Sequence, residues 1–287
     1  MRQKLDLWVV GGDQRQCTLA HALHEDGHNV HTYALDQGSD PSLESLGLEG
    51  IENAHCVILP LPALNGEVVN TPLSQRSVPV AELLSALRPG QLLAGGMLSP
   101  ALLAQAEEKG LTVVDYFARE ELAVANAVPS SEGAIQIAME ELPITLHGAR
   151  VLVLGAGRLG KVLCQQLRGL GSRVALCARK YSDLAWAQVW GCDTARSDQL
   201  DSWLCGYDLV INTVPALLLN REALKQLKPD CLVIDLASKP GGVDFDAARE
   251  LGIRVIWALS LPGKVAPVTA ALAIRDTLYN ILSELGA

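Results

Sequence analysis

The sequence predicts an α/β protein with two doubly wound parallel-sheet domains. The second is read as a Rossmann dinucleotide-binding domain, with a cleft between the two. Three observations carry this. Apolar runs of strand length alternate with helical patterns along the chain, which implies parallel strands joined by crossover helices. The stretch Val151-Leu-Val-Leu-Gly155-Ala-Gly157-Arg158-Leu159-Gly160 sets three glycines at G-x-G-x-x-G spacing, between an apolar run and a helical one. At 287 residues the chain is also too long for one ordinary core. The domains are placed at 1–145, flavodoxin-like or Rossmann-like and on the substrate side, and at 146–287. The C-terminal helix is expected to pack back on the first.

Composition bounds the function. Aromatic residues are only 4%, so the cores must be aliphatic. The net charge of −9 argues against a nucleic-acid partner, which needs clustered Lys and Arg. Seven scattered cysteines without a C-x-x-C fit reduced thiols in the cytoplasm, not a disulfide framework or a zinc site. The N-terminus lacks a signal peptide's apolar region, and no apolar run is long enough for a membrane.

In chain order, Leu5 to Val10 reads as a buried strand ended by Gly11-Gly12. Gln14 to Asp26 reads as a helix with Asp13 as N-cap and Gly27 as its stop. Asn29 to Ala34 and Val57 to Leu59 are strands, and 64–79 is expected to be a loop over the cleft. A helix at Val80 to Leu87, a strand at Leu92 to Ala94, a Ser99-Pro100 helix start and a strand at Thr112 to Asp115 complete the half. Its first loop lacks the fingerprint, and Asp13 would repel a pyrophosphate. Arg15 then either meets an anionic substrate or is a surface arginine. His21, His24, His28 and His31 lack a completing Cys or Asp set, so no metal is expected and a solvated helix end is the reading.

Pro129-Ser130-Ser131-Glu132 reads as the start of a helix that crosses between domains, with Ser131 or its neighbour as cap. Its N–H groups and serines suit a carboxylate, although ordinary capping explains them equally. The helix after the fingerprint spans Leu159 to Leu170. Gly155 allows the tight turn, Gly157 the approach of a pyrophosphate, and Gly160 the close packing of helix on strand. Arg173 to Ala178 is the next strand. NAD binders place an acid at its end, but here stand Arg179, Lys180 and Ser182. Two cations and a hydroxyl suit the 2′-phosphate of NADP(H); the alternative is a solvated basic pair. Strands Leu209 to Asn212 and Cys231 to Asp235 end in Asn212-Thr213-Val214-Pro215 and in Leu236-Ala237-Ser238-Lys239, where ribose and nicotinamide would lie. Helices at Leu219 to Leu227 and Asp244 to Leu251, a strand at Arg254 to Ala258, and a helix from Pro267 to about Leu285 follow.

Over essentially the whole chain the sequence resembles the dipicolinate synthase A-subunit family. The resemblance rests on Val10-Gly-Gly-Asp-Gln-Arg-Gln16, Ile58-Leu-Pro-Leu-Pro62, Val128-Pro-Ser-Ser-Glu-Gly133, the fingerprint, Ile211-Asn-Thr-Val-Pro215, Asp235-Leu-Ala-Ser-Lys-Pro-Gly-Gly242 and Leu261-Pro-Gly-Lys-Val-Ala-Pro267. Where the family pattern has Arg, this chain has Lys239, which keeps the charge but not a bidentate fork. The resemblance implies NADP-linked oxidation of dihydrodipicolinate, or of its hydrated tetrahydro precursor, to dipicolinate. It also implies the cytoplasm of the mother cell of a sporulating bacterium, with a second, flavoprotein-like subunit; a homo-oligomer is expected. A dicarboxylate substrate calls for cations, for which Arg15, Arg119, Lys239 and Lys264 are the candidates. Ser130 and Ser131 lie on the same side, and Glu132 or an asparagine-held water is the candidate base.

Three rival readings compete with this one. A D-2-hydroxy-acid dehydrogenase needs a late histidine, and none follows His147. A shikimate-dehydrogenase-like enzyme needs a first-domain lysine, and none lies between Lys4 and Lys109. A non-catalytic NADP-binding scaffold or sensor stays open.

Overall fold

The structure is a computed structural model and describes residues 4–202 and 204–286. The chain divides into two compact units: residues up to Asn126 together with Ala266 onward, and Ala127–Val265.

The first unit runs β1 (Asp6–Val10), α1 (Gln14–Glu25), β2 (Asn29–Tyr33), β3 (Cys56–Ile58), β4 (Leu64–Asn65), β5 (Val68–Val69), α2 (Val80–Ala86), β6 (Leu92–Gly95), α3 (Pro100–Glu108) and β7 (Thr112–Asp115). Five of these strands form a parallel sheet in the order β2-β1-β3-β6-β7, with the chain reversing direction across the sheet between β1 and β3. Pleating sends alternate β1 residues to opposite faces. Leu7 and Val9 join the core under α1, while Trp8 and Val10 join the core with Val57, Leu83 and Leu102. Asp13 caps α1 through the Arg15 amide, and Ser99 caps α3 before Pro100. The segment expected as a loop contains the antiparallel hairpin β4–β5, whose strands of two residues are too short for a periodicity signal.

The histidine-rich segment departs from a solvated helix end at His31, which lies in β2 and stacks on Trp8, and most clearly at His28. His28 is buried. Its Nδ1 accepts from the Leu5 amide at 3.2 Å, so its Nε2 carries the proton in the neutral ring and meets the Tyr279 oxygen at 3.1 Å. Tyr279 in turn donates to Asp26 at 2.7 Å. Among the described residues no three His, Cys, Asp or Glu side chains converge as a metal shell.

The largest correction is α4 (Glu120–Glu141), one helix of 22 residues with Pro129 inside it. The Pro-Ser-Ser-Glu pattern therefore starts nothing, and Ser131 is an interior residue. Leu122 belongs to the first unit's core and Ala134, Ile135 and Ala138 to the second's. The division falls within this helix at Asn126, not at residue 145.

The second unit continues with β8 (Arg150–Leu154), α5 (Arg158–Gly169), β9 (Arg173–Ala178), α6 (Tyr181–Val189), β10 (Asp193–Arg196), β11 (Leu209–Asn212), α7 (Arg221–Leu224), β12 (Leu232–Asp235), α8 (Phe245–Leu251), β13 (Arg254–Trp257) and α9 (Leu261–Val265). All six strands are parallel, in the order β10-β9-β8-β11-β12-β13. This is the Rossmann order, in which the direction reverses between β8 and β11. The helix expected over Leu219 to Leu227 shrinks to α7, capped by Asn220. Finally α10 (Pro267–Leu285) opens with proline in its first turn and packs Ile274, Leu278, Ile281 and Leu282 into the first unit's core.

Candidate functional site

The glycine turn lies at the reversal point of the second sheet, where a ligand crevice opens at the carboxyl ends of the strands. Register places Leu154 beside both Cys177 and Asn212. Gly155 turns with φ +102°, and a Cβ there would come within 2.4 Å of Thr213 Oγ1. A Cβ on Gly160 would sit 1.9 Å from the Gly155 carbonyl oxygen, so only glycine lets α5 start against the turn. Gly157 differs from both. It is exposed, it is the N-cap of α5, and a Cβ there would meet nothing within 4 Å. Its bare backbone and the free amides of the helix start suit a pyrophosphate. The residues present thus fit a dinucleotide. Arg158 opens the helix on the exposed side, and Leu159 packs toward the core.

Two neighbouring loops are locked to this turn. Thr213 donates through both its amide and its hydroxyl to the Leu154 carbonyl, at 2.9 and 2.8 Å. Asn212 Nδ2 donates to Asp235 Oδ1 at 2.8 Å and to the Val214 carbonyl at 3.0 Å, while its Oδ1 accepts from the Val214 amide. Asp235 is fully buried and also accepts from the Ala237 and Gly242 amides, at 3.1 and 2.8 Å. One carboxyl group thereby shapes the Ala237–Ser238–Lys239 loop and ties it to Asn212. Sequence reading missed this role for Asp235. The available signal was that two adjacent apolar strands each end in a polar residue.

Arg179, Lys180 and Ser182 follow β9 on the exposed edge of the same strand ends. Neither Arg179 nor Lys180 is in an ion pair among the described residues. The nearby Lys161–Asp183 pair is loose, at 3.9 Å. Lys239 and Lys264 are likewise exposed cations outside the ion pairs of the described residues. Gly133 of α4 packs on Leu261 and Val265 of α9, where a Cβ would reach 3.2 Å. The α4 turn bearing Ser130, Ser131 and the exposed Glu132 therefore adjoins the helix that bears Lys264. Ser131 Oγ is buried with no hydrogen-bond partner among the described residues.

The two candidate arginines belong to the first unit and are already engaged. Arg15 is buried, not on the surface. Its Nε and Nη2 grip Asp13 at 3.0 and 2.8 Å, and Nη2 also donates to the Leu61 carbonyl at 2.5 Å. It fastens the loop after β1 to the loop after β3. Arg119 makes a fork to Glu284, at 2.7 and 2.6 Å, and bonds Glu121 at 2.8 Å. Those carboxylates raise the Arg119 pKa further, and Arg119 holds both acids below their usual range. Six of the seven cysteines are buried and free. Burial pushes the Cys56, Cys177 and Cys231 thiols up to about 12, which keeps them protonated and inert.

Comparison with known proteins agrees with this layout. Residues 6–117 match the family model for the N-terminal domain of the dipicolinate synthase A-subunit. Residues 122–287 match the alanine dehydrogenase/PNT C-terminal domain. The dipicolinate synthase A-subunit of Bacillus subtilis (strain 168) is 32% identical over 99% of this chain and 97% of its own. The crystal structure of the A-subunit from Bacillus halodurans superposes with a TM-score of 0.90 at 29% identity, covering 97% of each chain. A transhydrogenase from Sinorhizobium meliloti shares the fold at a TM-score of 0.72 and 17% identity, over 98% of this chain and 94% of its own.

Proposed function

The chain belongs to the dipicolinate synthase A-subunit family, and from that premise we propose that it oxidises dihydrodipicolinate, or the hydrated tetrahydro precursor once that has lost water, to dipicolinate with NADP⁺. It acts beside a flavoprotein-like second subunit in the cytoplasm. The observation that carries the cofactor reading is the strand-end geometry: a bare Gly157 backbone at the start of α5, with two cations on the adjacent strand end that form no ion pair among the described residues, where NAD binders carry an acid.

Bound NADP⁺ supplies the hydride acceptor. The chain's own residues do the rest. Arg179, Lys180 and Ser182 hold the 2′-phosphate, and Gly155–Gly160 receives the pyrophosphate. Thr213–Pro215 and Ala237–Ser238, held in shape by Asn212 and Asp235, orient the reacting half. Lys239 and Lys264 attract the two carboxylates of the substrate. Glu132 accepts the proton that aromatisation releases. Aromatic product formation makes the oxidation favourable, so alignment and one base suffice. Arg15 and Arg119 contribute to substrate binding only if an incoming carboxylate takes the place of Asp13 or Glu284.

NADP⁺ is expected to bind more tightly than NAD⁺, and Arg179→Ala to weaken NADP⁺ alone by about tenfold. Titration calorimetry decides it, and equal wild-type affinities for the two dinucleotides sink the NADP assignment. The prior engagement of both arginines favours one second reading, a non-catalytic scaffold that binds NADP for its partner. Dipicolinate absorbance produced by the purified chain alone rejects the scaffold. Unchanged turnover of Lys239→Ala and Glu132→Gln in the two-subunit enzyme rejects the roles of Lys239 and Glu132 in catalysis.

A further inference from the structure

Tyr181 is the first residue of α6 and directly follows Lys180. Tyr181 is 72% exposed, in a chain with only 4% aromatic residues. The Arg196 guanidinium lies over the ring, 4.6 Å from its centroid. Arg196 ends β10, opposite Ala178, the last residue of β9. Parallel pairing thus delivers the ring and the guanidinium to one edge of the strand ends. Asp198 fixes the guanidinium along its edge, accepting from Nε at 2.9 Å and from Nη2 at 2.6 Å. The fold therefore stacks an Asp198-anchored Arg196 on Tyr181 and leaves the tyrosine largely open to solvent.

Chemistry supplies an occupant. In a dinucleotide the adenine hangs from C1′ of the ribose, and the adjacent C2′ carries the phosphate assigned to Arg179 and Lys180. A ring at the start of α6, on the same strand-end edge as Arg179 and Lys180, is therefore the candidate partner of that base. We propose that Tyr181, backed by Arg196 and Asp198, is the platform on which the adenine of the bound dinucleotide stacks. This rests on the dinucleotide reading above, but not on its choice of NADP over NAD. Asp198 balances the charge of Arg196, so the stack offers a π-face and little net charge. A flat aromatic face attracts a base regardless of its hydrogen-bonding edge, and a cation behind the ring locks its orientation. Tyr181 is accordingly a ligand contact, and Arg196 a positioning residue for it.

Calorimetric titration with NADP⁺, NAD⁺ and adenosine 2′,5′-bisphosphate separates the two assignments. Tyr181→Ala is expected to weaken all three ligands by the same factor, about five- to fiftyfold. Tyr181→Phe stays within about twofold of wild type, because the ring and not the hydroxyl stacks. Arg179→Ala weakens only the two ligands with a 2′-phosphate. The platform is overturned if Tyr181→Ala binds like wild type, if it loses NADP⁺ but not NAD⁺, or if Tyr181→Phe loses as much as Tyr181→Ala. Wild type binding NAD⁺ as tightly as NADP⁺, with both weakened by Tyr181→Ala, keeps the platform and rejects the 2′-phosphate site. Wild type binding none of the three rejects both.

Discussion

Asp235 shows what a single side chain does for this site. It is buried from solvent, and three donors converge on it: the Asn212 amide group and the backbone amides of Ala237 and Gly242. Replacing it with alanine strands all three donors in a dry interior. The expected loss is about 3–5 kcal/mol, in the range for breaking a buried polar cluster from one side. Denaturant unfolding measures the loss, and dinucleotide affinity should fall with it because the Ser238–Lys239 loop comes adrift. A change under about 1 kcal/mol would show that the loop holds itself. This residue was hard to see in advance. The glycines at 155, 157 and 160 announce themselves, since each has a backbone reason to lack a side chain. Asp235 matters because strand register sets it beside Asn212, and register is a three-dimensional fact that a linear reading of the chain between them does not contain.

At the scale of elements, α4 carries the clearest lesson. Proline followed by serines reads equally as the first turn of a helix or as a break within one. Only the burial of Leu122 on one side and of Ala134 and Ala138 on the other marks the helix as continuous. The two readings predict opposite signs for Ser131→Ala. A capping serine would cost about 1 kcal/mol to remove. An interior hydroxyl that is buried without a partner carries a desolvation penalty, so its removal should leave stability unchanged or raise it by about 1 kcal/mol. Urea unfolding decides between them, and a loss of about 1 kcal/mol would restore the cap. A second element-level prediction concerns the start of β8. Burial pushes the Asp208 carboxyl up, but Lys228, 2.5 Å away, and the Arg150 amide, at 2.7 Å, outweigh it and bring its pKa below the usual value. A depressed carboxyl stabilises the fold at pH values above its unfolded pKa of about 4, and that stability drains as pH falls through the lowered folded value. Lys228→Met leaves burial less opposed, so acid unfolding followed by circular dichroism should begin at higher pH than in wild type. An unmoved acid midpoint would mean that the pair contributes nothing.

For the whole molecule, the order of elements and the return of the C-terminal helix to the first domain were readable, and the point where the chain changes unit was not. Alternating apolar runs and helical patterns recover nearly every strand of both sheets, because buried parallel strands are short and continuously apolar. What periodicity does not reveal is where the chain changes unit, since both units draw on the same alphabet of aliphatic residues. The structure assigns the segment from Ala266 onward to the same unit as the residues up to Asn126. The reason is visible in α10, whose Ile274, Leu278, Ile281 and Leu282 share a core with Leu7, Val9, Leu19 and Leu23. Leu278 is 1% exposed. Its truncation to alanine should therefore cost about 2–5 kcal/mol, as a buried leucine does. That cost should fall on β1, β2 and β3, although residue 278 follows the dinucleotide unit in sequence. Hydrogen exchange read by mass spectrometry distinguishes the possibilities. Faster exchange in peptides covering residues 6–33 and 56–58, with β8 and β11 protected as in wild type and dinucleotide affinity unchanged, is the expected pattern. Exchange that speeds up in β8 and β11 to the same degree would mean that the chain unfolds as one cooperative body, and that the two compact units are not separate units of stability.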